Sequence, residues 1–198
     1  MSTSPFLGLV RSRTSLRRYD DRPVSDVDIL SIVEAARLAP SAENAQPWRF
    51  VAVVDPEVRS ALAKACLGGI FRRTRFAAHA PLIIALCAER AMIVELGKAM
   101  KDKAMYRIDC GIAGEHLVLR AAELGLGTCW IGWFNRRAAR RVLRAPFHVE
   151  VVSLIAVGHP AADVRPRQRV RRPLAAMLWR DAWGTEFPGA EVQEGLEK

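Results

Sequence analysis

YRIDCGIAGEHLVLRAAELGLGTCWIGWF, residues 106–134, sets the terms for the rest of the chain. Ile108, Ile112, Ala113, Leu117, Val118, Leu119, Ala121, Ala122 and Leu124 leave it little polar face, and their spacing predicts a helix over about 106–125. A helix apolar nearly all round has to be central or lie in a subunit interface. Gly125 and Gly127 end it, and TCWIGWF then reads as a short strand or turn.

Upstream, residues 5–12 form a short first helix, and RSRTSLRRYDDRPV is a polar, basic loop closed by Pro23. Ser25 is an N-cap, with Asp28 three residues on. Val27, Ile29, Leu30, Ile32, Val33 and Ala36 follow at helical spacing until the pattern stops at Pro40. WRFVAVVD and APLIIALCAE are rich in β-branched, aromatic and other apolar residues and predict buried strands, with a helix over 56–67 between them. Downstream, NRRAARRVL predicts a helix and EVVSLIAVGHP a further strand. No internal repeat or flexible linker interrupts the series, so a single α+β domain over 1–198 is expected. From about residue 160 a basic and then acidic tail extends over a surface or a partner subunit.

The 198 residues are 51% hydrophobic and 26% charged, enough for a proper core and against general disorder. The net charge of +9 is carried mostly by arginine, which favours anionic partners and suits phosphate oxygens in particular. Cys66, Cys87, Cys110 and Cys129 lack metal spacing and read as reduced core residues. His79, His116, His148 and His159 read as structural, so no metal is expected. No stretch reaches the ~18 apolar residues of a membrane helix, and the expectation is a cytoplasmic protein without membrane partners. GxGxxG, P-loop, GxSxG and HExxH motifs are all missing from the sequence, so the reactive group is expected to be borrowed.

Three segments carry the chemistry. In RTSLRRY, Arg13, Ser15 and Arg17 alternate along an extended chain and suit a phosphate or an anionic ring edge. In APSAENAQPW, turn chemistry accounts for Pro40, Ser41 and Asn44 but not for the trio Gln46-Pro47-Trp48. In AAELGLGTCWIGWF, glycines around a strand let the backbone approach a flat ligand and offer its N–H groups.

Taken in order, RxSxRxY, PSxxNxQPW, GLGTCWIG and a strand ending in VGHP before an arginine-rich stretch and Pro173-Leu174 resemble the nitroreductase family over about residues 8–175. The resemblance implies a three-layer α+β sandwich, its central and mostly antiparallel sheet flanked by helices, in an intertwined homodimer whose C-terminal extension wraps the partner subunit. It implies two flavin mononucleotide (FMN) sites, each built from both chains. Arg13 and Ser15, with Thr14 between them, would hold the FMN phosphate together with Arg169 and Arg171, while Arg17 would face the pyrimidine edge. Pro40, Ser41, Ala42, Asn44 and Gln46 would reach the flavin from the other subunit; Ala42 stands where the family commonly has a second serine. Trp130, Ile131 and Gly132 would pack on the opposite ring face, with the Gly132 N–H toward N5.

The implied activity takes hydride from NADH or NADPH and passes it to an electron-poor acceptor such as a nitroaromatic or a quinone. Relatives of this kind also reduce enones or flavins, remove halogens or degrade the flavin itself, and an FMN-binding protein with little turnover is a further alternative. The segment around 90–106 would decide the substrate, and Arg72, Arg73 and Arg75 are additional ligand candidates without an assigned role. A basic nucleic-acid-binding protein would need stacking aromatics or a recognition helix beside clusters such as RVRR and NRRAARR, and none is evident, so no nucleic-acid partner is expected.

Overall fold

In the computed structural model, residues 4–89, 105–164 and 170–190 are described. They divide into a unit ending at Val164 and a second unit beginning at Arg165.

The first unit opens with α1 (Pro5–Ser12), whose proline occupies the first turn. There the missing N–H is no loss. In α2 (Asp26–Arg37) the Ser25 hydroxyl accepts the Asp28 N–H at 3.1 Å, while acids in the first turn and Arg37 in the last complement the helix dipole. Next come β1 (Trp48–Val53) and α3 (Pro56–Cys66), the latter capped by the Asp55 carboxylate, which accepts from Glu57 and Val58. A 3-10 run over Gly69–His79 leads into β2 (Leu82–Glu89). The sequence pattern does not place that run.

The helix in the opening stretch is α4 (Met105–Glu123). It ends in a Schellman motif: the Leu126 N–H reaches the Ala121 carbonyl at 2.8 Å and the Gly125 N–H reaches Ala122 at 3.0 Å. Gly125 has φ of 75°, which a side chain would strain. β3 (Gly127–Ile131), α5 (Arg136–Val142) and β4 (Val149–Gly158) complete the unit.

All strand pairs are antiparallel, in the order β1-β2-β4-β3. Successive residues of β2 face opposite sides of the sheet. Leu82, Ile84, Leu86 and Ala88 join Ile32 and Ala36 of α2 and Cys110, Ala113, Leu117 and Ala121 of α4 in one core layer. Ile83, Ala85 and Cys87 join Leu62 and Cys66 of α3 and Ala138 and Ala139 of α5 in the other. Each fully buried Leu or Ile contributes roughly 1.5–3 kcal/mol, so a strand buried on both faces reads as the near-continuous apolar run it is in the sequence. The result is the expected three-layer α+β sandwich. All four cysteines are buried, and none is in a disulfide. His116 is structural, its Nδ1 3.2 Å from the Ala35 carbonyl across the α2–α4 contact.

In the second unit a 3-10 turn over Leu174–Ala176 precedes a tight turn in which Trp179 bridges Glu186 and stacks on Trp183 with ring centroids 4.0 Å apart. Among the described residues no helix is long and apolar enough to cross a membrane.

Candidate active site

The arginine-bearing segment Arg13–Tyr19 is laid along β3 and fixed at several points. Ser15 bridges Thr128 in parallel, and the Leu16 N–H donates to the Thr128 carbonyl at 2.7 Å. The Leu16 side chain is buried against Gly127, where a Cβ would stand only 2.1 Å from Leu16 Cδ2. The Tyr19 hydroxyl donates to the Leu16 carbonyl at 2.7 Å, and burial raises that phenol far above its ordinary range, with Cys129 adding to the effect. With Leu16 turned into the core, Ser15 is left half-buried and Arg17 exposed.

Arg13 is half-buried, its Nε 4.0 Å from a Glu115 carboxylate oxygen. Partial burial holds the Glu115 carboxyl above the usual carboxylate range, and Arg13 and His116 pull it back. The Arg17 guanidinium lies 5.5 Å from the centre of the Phe76 ring, a cation–π contact that orients the charge without using its N–H donors. Phe76 belongs to the 3-10 run, which therefore frames the site although its spacing gave no hint of it.

Trp130 and Ile131 take opposite faces of β3. The Trp130 indole rests on Gly114 of α4, where a Cβ would stand 2.2 Å from it, whereas Ile131 is buried in the α3–α5 layer. Strand alternation prevents the two side chains from sharing one ligand face, so Ile131 can offer a ligand only main-chain atoms; its carbonyl already accepts from Ser153 Oγ at 3.0 Å. Gly132 follows the last paired residue, and nothing lies within 4 Å of where its Cβ would be. Arg136 Nη2 donates to the Gly132 carbonyl at 3.3 Å and to the Val152 carbonyl at 3.2 Å, holding this corner in place.

The loop over 40–46 is strained. Glu43, Asn44 and Gln46 have φ of 50°, 53° and 46°, a region costing side-chain-bearing residues of order 1–3 kcal/mol each. It is held by its own polar groups and by α4. Ser41 Oγ accepts the Gln46 N–H at 3.0 Å, Gln46 Nε2 donates to Asn44 Oδ1 at 3.1 Å, and the buried Asp109 carboxylate accepts the Ala42 N–H at 3.3 Å. Strain maintained in this way is characteristic of ligand sites.

The structure thus brings the first and third motifs edge to edge, while the second is tied within itself, to α4 through Asp109 and to the end of β2 through the Glu89 N–H on the Pro47 carbonyl. Arg171 is exposed in the second unit, and Arg169 and most of the segment 90–106 lie outside the described residues. Arg72, Arg73 and Arg75 are exposed on the 3-10 run. Asp109, Phe76 and Arg136 are contributors that sequence reasoning missed. Only Asp109 carried a signal, as a carboxylate among apolar neighbours on α4.

Comparison with known proteins identifies the family. The family model described as Nitroreductase family matches residues 10–159. A provisionally named NADH dehydrogenase/NAD(P)H nitroreductase of Archaeoglobus fulgidus is 36% identical over 158 residues, covering 78% of this chain and 84% of that protein. The FMN reductase [NAD(P)H] of Bacillus subtilis is 29% identical, covering 82% and 68%. The solved structure of an FMN-dependent nitroreductase of Clostridium difficile R20291 is similar with a TM-score of 0.68 at 27% identity, covering 82% of this chain and 91% of that one. The chain belongs to the nitroreductase family.

Proposed function

We propose that this chain is an FMN-dependent oxidoreductase that draws hydride from NADH or NADPH and delivers it to an electron-poor acceptor, a nitroaromatic or a quinone. The observation that carries the reading is the Ser15–Thr128 pairing. It sets Arg13, Thr14, Ser15 and Arg17 alongside the strand that ends in the open Gly132 corner. The names of the similar FMN-dependent proteins support the cofactor and the donor.

The residues present fit FMN. Arg13, Thr14 and Ser15 suit the phosphate, as guanidinium forks and hydroxyl donors do, and Arg169 and Arg171 of the second unit are proposed to join them. Arg17 is proposed to face the pyrimidine edge, and Trp130 with the main chain of Ile131 and Gly132 to form the surface against the ring. Pro40, Ser41, Ala42, Asn44 and Gln46 are proposed to act in the site of a second copy. When bound, FMN supplies a two-electron carrier that no side chain can replace. The chain's own task is positional: Arg17 would stabilise negative charge gained on reduction, and the Gly132 N–H would offer a donor to the ring.

A homodimer follows from the same reading. Phe6, Leu7 and Val10 of α1, Val27 and Leu30 of α2 and Ile108 of α4 are exposed apolar residues, and such exposure suits a subunit interface. The C-terminal extension of this single-domain chain is proposed to wrap the partner.

Turnover tests the proposal. Purified protein carrying about one FMN per chain is expected to oxidise NADH or NADPH at a rate that depends on added quinone or nitroaromatic. Bound FMN without acceptor-dependent oxidation would instead mark a flavin-binding protein.

A further inference from the structure

Away from the flavin residues, α3 and the 3-10 run enclose a cleft of about 630 Å³ lined by Arg59, Ser60, Lys64, Gly68 and Arg75 among others. Among the described residues no carboxylate lines it. Asp55, at the N-terminus of α3, is engaged in capping that helix.

Arg59 is the informative member. Its Nη1 donates to the Ala80 carbonyl at 2.5 Å, which fixes the guanidinium against the chain. Its Nε is buried and is the one buried side-chain nitrogen or oxygen among the described residues without a hydrogen-bond partner. The buried Nε keeps the guanidinium's inner edge within the protein, and the Nη1 anchor holds its charge at the cleft wall. Lys64, one turn and a residue further along α3, and Arg75 opposite it on the 3-10 run are both exposed and add two more positive charges. The Ser60 hydroxyl adds a neutral donor.

We infer that this cleft is a second anion site, which takes a phosphate group. Three cations, one of them an anchored guanidinium, match the charge of a phosphate dianion better than that of a single carboxylate. The site also touches the redox site through the 3-10 run. That run places Phe76 under Arg17 and sets Thr74 Oγ1 3.4 Å from the Trp133 carbonyl. An occupant between Arg75 and α3 braces the run from behind. The phosphate has two sources, inorganic phosphate and the 2′-phosphate of NADPH, and they share the recognition chemistry.

The test is calorimetric titration of the FMN-loaded full chain with inorganic phosphate at low ionic strength, against chloride at matched ionic strength. Loading with FMN keeps Arg13 and Ser15 occupied; if the chain holds no FMN, the same titration still reads the cleft through the Lys64 variant. Saturable binding of one phosphate per chain is expected, weakened about tenfold in Lys64→Gln and in Arg59→Lys, since each loses a charge-assisted contact. Lys64 is exposed on a helix, so its replacement leaves the fold intact even if Arg59→Lys does not. A second arm separates the sources. A raised KM for NADPH with unchanged KM for NADH in Lys64→Gln assigns the site to the dinucleotide, and unchanged values for both assign it to free phosphate. No saturable phosphate binding, or binding that Lys64→Gln leaves unaltered, overturns the inference.

Discussion

Arg17 holds its charge over the Phe76 ring, and among the described residues no carboxylate pairs with it, so its field is available to a ligand. Replacing it with alanine is expected to leave FMN bound, because Arg13 and Ser15 are the residues proposed to hold the phosphate, and to lower the flavin midpoint potential by about 30 mV, or ~1.4 kcal/mol for a two-electron couple. Spectroelectrochemical titration of Arg17→Ala beside the parent protein checks this, and equal potentials would remove Arg17 from the electronic role. Arg17 was legible in the sequence because alternation in an extended segment is local. Asp109 was not: its hydrogen bond reaches Ala42 across 67 residues, and no local pattern encodes that approach. Arg136 was hidden differently, since a run of arginines on a short helix reads as a solvated face and only the folded β3 corner shows that it carries the Gly132 carbonyl.

At the scale of elements, the site depends on two close approaches between segments. Gly127 lets Leu16 lie against β3, and Gly114 lets α4 receive the Trp130 ring. In Gly127→Ala the new Cβ meets Leu16 at both Cδ2 and Cβ, at 2.1 and 2.8 Å. A rotamer change of Leu16 cannot relieve both contacts, so the Arg13–Arg17 segment has to move. Overpacking of this kind costs about 1–3 kcal/mol, and the variant is expected to unfold at lower urea and to bind FMN at least tenfold more weakly. Unchanged FMN affinity would show that the segment's seat on β3 does not govern the cofactor site. Most elements followed from periodicity and capping: Ser25 began α2 and the glycines ended α4. The run over Gly69–His79 did not, because a 3-10 path starting from Gly68-Gly69 repeats every three residues and buries little of itself beyond Ala77. Its partners, Arg17, Trp133 and α3, come from three separate parts of the chain.

For the whole molecule, the two core layers put thiols where no water solvates their ionised form. Burial pushes Cys66 and Cys87 up to about 11, and burial with Asp109 nearby pushes Cys110 up to about 12. An unfolded thiol ionises near ~8.5. Above that pH the unfolded chain has released protons that the folded chain retains, so stability is fully present below about 8.5 and falls as pH rises toward 11–12. Urea midpoints measured at pH 7.5 and pH 10 are expected to decrease accordingly, and a flat profile would mean that these thiols are not shielded in solution. The layered core was legible because apolar runs such as LIIALCA report burial on both sides of a sheet. The completeness of the site was less so, because its second motif is folded against α4 within one chain and meets the others only in the proposed dimer. The most direct test of the flavin account is the visible spectrum of the purified protein, recorded anaerobically before and after addition of NADH and then NADPH, and again after a quinone. The account predicts a yellow protein that bleaches with reductant and regains its colour with the acceptor; a colourless protein that takes up no added FMN would contradict it.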